Sequence, residues 1–243
     1  MKHGTHQILV GDVLDHLAEM PDDSVDCILA DPPYGIDHQS HRLPADRRLA
    51  KIAGDKEPHV AWLTEAHRVA KIGTAMACFH RWDVAEAFRT AIENAGWSVR
   101  TQCVWHKAGG GMGDLMGTPA LEHEPFWFAT KGRFEFPAGR MMSVIMAPRV
   151  QSRHMTHPNE KPIGMYQHLV RHLTVTGDVV LDPFAGSGLC LAAAASLGRD
   201  AIGIEINPQY AAMAEQRVAR TLRPSTHRSI HSAPSPLFEG SQS

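Results

Sequence analysis

The chain alternates short apolar runs with longer segments in which apolar residues recur every three or four positions. Strands of about four to eight residues and one-faced helices produce these two patterns. The predicted strands are Gln7–Val10, Val25–Ala30, Thr74–Phe79, Trp97–Trp105, Pro125–Thr130, Val179–Leu181 and Ala201–Ile206. Strands that alternate with helices predict an α/β fold with a mostly parallel sheet covered on both faces.

The helical segments have recognisable patterns and boundaries. Apolar residues recur at helical spacing from Val84 to Ala95 and from Ile163 to Leu173. Pro162 suits the first turn of the second helix, because a proline there loses no helical hydrogen bond. Asn207 and Pro208 predict the N-cap and first residue of a last helix that runs to about Arg220.

Acidic residues come at or directly after the ends of several predicted strands. They are Asp12, Asp31, Asp182 and Glu205. In mostly parallel sheets, ligands bind at the carboxyl ends of the strands, near the point where the strand order switches. We therefore expect the functional site at this edge of the sheet.

Composition narrows the class of protein. The chain has 243 residues, of which 43% are hydrophobic and 21% charged, enough for one large domain. The formal net charge of −2 does not indicate a nucleic-acid partner, although a local basic face would suffice. The four cysteines form no CxxC pair and the 16 histidines show no ligand spacing, so neither a disulfide framework nor a metal site is predicted.

No apolar stretch is long enough to span a membrane, and the first residues lack an apolar signal core. We expect a cytoplasmic protein with small, buried cysteines. Residues 221–243 are rich in Ser, Pro and His and are predicted to be a disordered tail.

The first distinctive motif is "DPPYG", which follows the run Val25–Ala30. Prolines and glycine mark turns, so a tight turn after a strand would account for this motif by itself. The second motif is "DPFAGSG", which starts at Asp182 and precedes an Ala-rich helix. Its glycines allow a ligand to approach the backbone closely, and Glu205 comes about twenty residues later, where an acidic side chain suits ribose hydroxyls. From these residues alone, an NAD-type fold with a divergent turn remains open.

The two motifs together, with "GIEIN" at residues 203–207, resemble the amino-group DNA methyltransferases that use S-adenosylmethionine. The resemblance covers about residues 5–220. The catalytic motif precedes the cofactor motif, as in the β class of that family, and "HPNEKP" (157–162) resembles the segment that this class places before the cofactor turn. The resemblance implies a Rossmann-like class I methyltransferase fold, with a seven-stranded sheet, one antiparallel strand and a circularly permuted motif order.

The resemblance also implies a chemistry for "DPPY". An exocyclic amino group is a poor nucleophile, and acceptors for both of its hydrogens would free its lone pair. The Asp31 carboxylate and the Pro32 carbonyl are the expected acceptors, on a loop that Pro32 and Pro33 make rigid. Tyr34 is expected to be an exposed ring on which a flipped base stacks.

The residues implied for each role follow from the motifs. The catalytic residues are Asp31, Pro32, Pro33 and Tyr34. The cofactor-binding residues are Asp12, Asp31, Asn159, Lys161, Pro162, Asp182, Pro183, Phe184, Ala185, Gly186, Ser187, Gly188, Glu205, Ile206 and Asn207. No metal is implied.

DNA contacts are expected in three short insertions, at about 37–57, 107–120 and 131–156. Basic residues there are candidates for phosphate contacts, namely Arg42, Arg47, Arg48, Lys51, Lys107, Arg149 and Arg153. These insertions are small for target-recognition regions. One departure from the family pattern is Leu189, where the family usually has Thr after "GSG".

The expected activity is methylation of adenine N6 in a specific sequence of double-stranded DNA. Asp31 favours adenine by analogy, since cytosine-N4 enzymes more often carry Ser there. The alternatives are an N4-cytosine enzyme, a non-catalytic subunit that binds the cofactor or DNA, and a methyltransferase for RNA or a protein amide, where "NPPY" is commoner. The sequence leaves open whether the chain forms a homodimer or works with a restriction endonuclease.

Overall fold

The structure is a computed structural model that describes residues 5–34, 58–107, 116–117, 119–148 and 161–223. Eight strands and six α-helices lie within these ranges. The strands are β1 (His6–Val10), β2 (Val25–Ala30), β3 (Ala70–Phe79), β4 (Ser98–His106), β5 (His123–Thr130), β6 (Val144–Met146), β7 (Val179–Asp182) and β8 (Asp200–Glu205). The helices are α1 (Val13–Glu19), α2 (Leu63–Val69), α3 (Ala85–Asn94), α4 (Ile163–Leu173), α5 (Leu189–Ser196) and α6 (Pro208–Leu222), and a 3₁₀ turn, Trp82–Val84, precedes α3.

The strands form one sheet in the order β1-β8-β7-β2-β3-β5-β4-β6. Among the described strands, only β5 runs antiparallel to its neighbours, β3 and β4. The predicted mostly parallel sheet with one antiparallel strand is therefore confirmed, but it has eight strands rather than seven. The extra strand, β6, adds to the edge of the sheet beside β4.

Helices cover both faces of the sheet. One core cluster joins the sheet to α4, α5 and α6, and the other joins it to α1, α2 and α3. Successive residues of β2 contribute to opposite clusters, since Leu29 faces the first and Ile28 the second. A strand buried on both faces needs a continuous apolar run, which explains the sequence of β2. No helix in the described part of the chain is long and apolar enough to cross a membrane.

Several boundaries differ from the predictions. Strand β3 begins at Ala70 rather than Thr74, because Lys71 and Gly73 interrupt the apolar run without ending the strand. Helices α1 and α2 have only seven residues each, too few for a clear helical period. Helix α6 continues to Leu222, so the first two residues of the predicted tail are helical and residues 224–243 lie outside the described chain.

Part of the expected insertion at 131–156 belongs to the folded core. Phe134 and Phe136 pack against Phe128 of β5, with ring centroids 5.8 Å and 5.6 Å away. Ile145 of β6 is also buried. Phe134, Phe136 and Ile145 therefore pack against the core, and β6 extends the sheet. All four cysteines are unpaired and buried, as predicted.

The strand order creates a crevice between β7 and β2. These two strands are parallel neighbours although about 150 residues separate them, and Leu181 lies beside Ile28. From β7 the chain proceeds to β8 on one side of the sheet, whereas from β2 it proceeds to β3 on the other. Their carboxyl ends, Asp182 and Asp31, thus meet at the switch point, where ligands of such sheets bind.

The turn after β7 depends on close packing between α5 and α6. Gly188 caps the start of α5 with a left-handed φ of 80°. A Cβ at this position would lie 2.6 Å from the Cβ of Ala214 and 2.7 Å from its Cα. Glycine is therefore required both for the backbone conformation and for the approach of α6.

We expect Gly188→Ala to destabilise the fold more than Gly139→Ala does. Gly139 is a matched control, because its φ is 83° but nothing lies within 4 Å of an added Cβ. The control variant should lose about 1–2 kcal/mol from backbone strain alone. Gly188→Ala should lose a further 1–3 kcal/mol or so from overpacking. Denaturant unfolding measures both, and equal losses would mean that α6 moves aside at no cost.

Candidate functional site

The motif "DPPY" begins where β2 ends, and its carboxylate is held on both sides. The Lys161 ammonium donates to Oδ2 of Asp31, and the Tyr34 hydroxyl donates to Oδ1. The Asp31 side chain remains 25% exposed. Both carboxylate oxygens therefore have a donor, yet the group stays accessible from the crevice.

Tyr34 is half-buried rather than an exposed platform, which differs from the expectation. Its ring packs edge-on against Phe88 of α3, with centroids 6.5 Å apart. Burial and the charge of Asp31 raise the pKa of Tyr34 well above its usual value, so the hydroxyl stays protonated and can donate.

Lys161 lies in the interior and binds two carboxylates. Its side chain is 2% exposed, its Nζ lies 3.3 Å from Oε2 of Glu124, and it sits 4.5 Å from the ring centroid of Phe79. Burial opposes the charge, but Asp31 and Glu124 outweigh it and raise the pKa of Lys161. The ammonium therefore stays charged beside the DPPY motif.

Glu124, on β5, was not identified from the sequence. It accepts from Lys107 through Oε1, whereas Oε2 contacts Lys161 as an ion pair without hydrogen-bond geometry. Burial alone would raise the pKa of Glu124, but Lys161 and Lys107 hold it below its usual value. The available signal was a charged residue inside the otherwise apolar strand "HEPFWFAT".

Lys107 was predicted to contact DNA, but its ammonium is already paired. It bonds Glu124, lies 5.4 Å from the ring of Trp105 and has a side chain only 20% exposed. The structure thus places Lys107 at the end of an alternating series of charges. That series runs Asp31, Lys161, Glu124, Lys107.

The turn after β7 surrounds a second buried carboxylate, Asp182. Its Oδ1 accepts from the Phe184 N–H at 3.1 Å, and the side chain is almost fully buried. Burial, followed by the charges of Asp31 and Glu205, raises the pKa of Asp182 to about 7, against the lowering effect of the Phe184 N–H. Near neutral pH this carboxyl is therefore partly protonated.

Glu205 ties the turn to the start of α6. Its Oε2 accepts from the Gly186 N–H and its Oε1 from the Asn207 N–H, each at 2.8 Å. Each oxygen keeps a second lone pair that could accept from a ligand hydroxyl. Ile206, beside it, is 54% exposed and offers an apolar surface at the same strand end.

The remaining residues of the turn hold its shape. Ala185 donates its N–H to the carbonyl of Ile204 at 2.9 Å. Buried Ser187 accepts from Arg217 of α6 at 2.7 Å, and Pro183 stands between Asp182 and Phe184. The ring of Phe184 packs against Trp62 at 5.4 Å, next to α2.

Capping roles account for three of the predicted cofactor residues. Asp12 is exposed and caps α1 by accepting from the Leu14 N–H at 2.8 Å. Asn207 caps α6 in the same way, as predicted, by accepting from the Gln209 N–H. Pro162 is the N-cap of α4, one position before the first turn where it was expected.

Other predicted residues lie outside the described part of the chain. They are Asn159 and the candidate DNA contacts Arg42, Arg47, Arg48, Lys51, Arg149 and Arg153. Within the described part, no group of three or more His, Cys, Asp or Glu side chains is arranged to hold a metal ion.

The charges of the crevice fit a cationic ligand with hydroxyl groups. Three carboxylates, Asp31, Asp182 and Glu205, influence one another across it, and only Asp31 has a buried ammonium partner. Burial is the largest cause of the raised pKa of Asp182, and the charges of Asp31 and Glu205 raise it further. A positively charged ligand in the crevice would offset the contribution of these charges.

Asp182→Asn should change how stability depends on pH. The pKa of Asp182 is raised in the folded state, so ionisation opposes folding and stability falls as pH rises from about 4 to about 7. The variant lacks this penalty, so its stability relative to wild type should improve over that window by an amount on the order of 4 kcal/mol. Unfolding titrations from pH 4 to 8 measure the difference.

Asp83→Asn is a control in which the pH dependence of stability should change in the opposite direction. The Arg81 guanidinium lowers the pKa of Asp83, so this pair stabilises the fold only once Asp83 is ionised. The relative stability of this variant should decline as pH rises from acid. A constant difference between Asp182→Asn and wild type across the window would contradict the assigned environment.

Comparisons with known proteins agree with this geometry. The chain is 35% identical over 221 residues to the putative methylase YubD of Escherichia coli K12, covering 89% of this chain and 92% of that one. It is 27% identical to the DNA adenine methyltransferase YhdJ of the same organism, over 87% and 82% of the two chains.

Two solved structures share the fold. The complex of M1.HpyAVI with SAM has a TM-score of 0.67 at 20% identity and covers 87% of this chain and 99% of that one. The cytosine-N4-specific PvuII DNA methyltransferase has a TM-score of 0.69 at 15% identity, over 88% and 86%. The model of the N6_N4_Mtase family, described as DNA methylase, matches residues 25–216. The chain therefore belongs to the N6/N4 amino-methyltransferase family of DNA methylases.

Proposed function

We propose that this DNA methyltransferase transfers a methyl group from S-adenosylmethionine to N6 of adenine in a specific duplex sequence, after the base leaves the helix. The observation that carries the proposal is the accessible Asp31 carboxylate at the end of β2, next to the Asp182 turn. Asp31 is suited to accept a hydrogen bond from an amino group, and the crevice is suited to a cation.

The cofactor would lie along the turn after β7. Glu205 and Ile206 would bind the nucleoside, through ribose hydroxyls and apolar contact, and the carboxylates of Asp31 and Asp182 would favour a positive charge nearby. S-adenosylmethionine, when bound, supplies an electrophilic methyl group on a sulfonium. The M1.HpyAVI complex with SAM supports this choice.

The catalytic loop would present two acceptors to the amino group. One is Asp31, and the other is the carbonyl of Pro32. The Pro33 carbonyl already accepts from the His59 N–H at 3.2 Å, whereas no described N–H donates to the Pro32 carbonyl. Holding both hydrogens would orient the nitrogen lone pair and stabilise the positive charge that develops there.

The choice of adenine rests on Asp31 and on the likeness to YhdJ. A carboxylate acceptor serves cytosine N4 equally well, and the likeness to the PvuII enzyme keeps that alternative in view. Sequencing genomic DNA from cells that express the chain, with modification detected at single bases, distinguishes N6-methyladenine from N4-methylcytosine. It also gives the target sequence, and no modification at all would favour a non-catalytic subunit.

Asp31→Ala should lower the single-turnover rate on target DNA by about 100-fold or more, because a polar group at the reacting centre is removed. Its affinity for S-adenosylhomocysteine, measured by calorimetry, should change much less. Asp83→Ala is the control, since Asp83 is a carboxylate just beyond the end of the neighbouring strand, paired with Arg81. An Asp31→Ala protein that transfers methyl groups at nearly the wild-type rate would exclude the mechanism.

Glu205→Ala should weaken the binding of S-adenosylhomocysteine by roughly 10-fold or more, because bonds to a charged acceptor are lost. It also frees the Gly186 and Asn207 N–H groups, so the turn loses its shape. Glu205→Gln keeps one acceptor oxygen and should retain part of the affinity. Calorimetric titration measures all three proteins, and wild-type affinity in Glu205→Ala would remove this residue from the site.

A further inference from the structure

The structure assigns to Lys161 and Glu124 a role that goes beyond cofactor binding. We propose that they are positioning residues, which fix Oδ2 of the Asp31 carboxylate so that Oδ1 can receive the target amino group. This inference rests on the proposed function, because it concerns the same carboxylate.

The first argument is that the Lys161 ammonium is buried and already surrounded by protein groups. It donates to Asp31, pairs with Glu124 at 3.3 Å and lies 4.5 Å from the Phe79 ring centroid. This side chain is 2% exposed, so a ligand in the crevice has little access to the ammonium. The sequence motif suggested a cofactor ligand, whereas the contacts assign Lys161 to Asp31.

The second argument is that the backbone places Lys161 rigidly. Pro162 follows it and favours an extended conformation for the preceding residue. Helix α4 then begins, and its residues Met165 and Leu169 are fully buried. The ammonium therefore reaches Asp31 from a fixed point in the core, across 130 residues of sequence.

The third argument is that Glu124 holds the ammonium from the opposite side. Glu124 lies on β5 opposite Trp105, two residues before buried Phe126. Its Oε1 is occupied by Lys107, and its Oε2 is a buried acceptor directed at Lys161. The lysine is thus shared between two carboxylates, and Glu124 limits how far it can move towards Asp31.

The two oxygens of Asp31 consequently differ. Oδ2 is bound to a buried cation that cannot leave. Oδ1 is bound to the Tyr34 hydroxyl, which is a neutral donor. An amino group entering the crevice can replace that hydroxyl as the donor to Oδ1. The bond between the methyl carbon and the amino nitrogen would then form as the bond between the methyl carbon and the sulfonium sulfur breaks. The proton released from the nitrogen can pass to Asp31 or to water.

Removing Lys161 or Glu124 should disturb the position of Asp31 to different degrees. Among the described residues, the groups that face Asp31 are Tyr34 on its own loop, Lys161 before α4, Tyr166 on α4, Asp182 after β7, Cys78 on β3 and, through Lys161, Glu124 on β5. Lys161 is the only cation among these. Its loss leaves Oδ2 without its donor, whereas loss of the Glu124 charge leaves the bond from Lys161 to Asp31 in place.

The test compares Lys161→Met and Glu124→Gln with wild type. In Lys161→Met, the single-turnover rate at pH 7 and saturating cofactor should fall by about 100-fold. Lys161→Arg should restore part of the rate, because a guanidinium can also donate to the carboxylate. In Glu124→Gln, the rate should fall by less than in Lys161→Met, because the bond from Lys161 to Oδ2 of Asp31 remains. Binding of S-adenosylhomocysteine should change by less than about threefold in each.

Lys71→Met is the matched control, because it removes a lysine that pairs with Asp26 at 2.7 Å at the other end of the same sheet. Its rate should equal that of wild type. The proposal is overturned if Lys161→Met weakens cofactor binding tenfold while the saturated rate is unchanged. It is also overturned if the rate falls in Lys161→Met and Lys161→Arg restores none of it.

A second readout does not depend on activity. Carbon NMR of labelled aspartate in the free protein follows the Asp31 carboxyl, whose chemical shift at pH 7 should change in Lys161→Met, change less in Glu124→Gln and stay as in wild type in Lys71→Met. If wild-type protein transfers no methyl group to DNA, the proposed function is wrong, and this readout still decides on the pairing. The same chemical shift in wild type and Lys161→Met would overturn the pairing.

Discussion

The site depends on how one crevice accommodates several negative charges. Parallel strands deliver Asp31 and Asp182 to the same edge of the sheet, and Glu205 completes the group from β8. Buried carboxylates repel one another and lose hydration, so each needs a donor or a proton. Asp31 is paired with an internal lysine, Asp182 takes up a proton near neutral pH, and Glu205 accepts from two backbone N–H groups.

These arrangements give the three carboxylates different chemical characters. Asp31 is held as an acceptor beside a cation, whereas Asp182 gains a proton near neutral pH and Glu205 shapes the cofactor turn. Side chains with the same carboxyl group thus take separate roles because their surroundings differ. The negative character of the crevice also selects the charge of what can bind there.

Much of this arrangement could be predicted from the sequence. Strand β2 ends where its apolar run ends, and the turn "DPFAGSG" follows β7 as expected, because both signals are local. The alternation of strands and helices also predicted the sheet, apart from the three-residue strand β6, which is too short to leave a pattern. The partners of Asp31 were harder to find. Lys161 and Glu124 contact each other only through tertiary folding, and no local rule relates residues so far apart.

The contacts of Tyr34 could not be predicted from the sequence either. The motif suggested an exposed ring, but the hydroxyl donates to Asp31, three residues earlier in the chain, and the ring packs against Phe88. Both contacts depend on the direction in which the loop leaves β2, which the two prolines restrict without fixing the side chain.

The neighbouring positions of β1 and α6 have a consequence for chain connectivity. The first strand pairs with β8, and the last helix packs against β1, so the two ends of the described fold meet on one flank of the sheet. A short link there, with a break in a surface loop elsewhere, would move the cofactor turn ahead of the catalytic loop and leave every strand pair intact. Gene rearrangement could therefore reorder the motifs of such a protein while preserving the shape of its crevice.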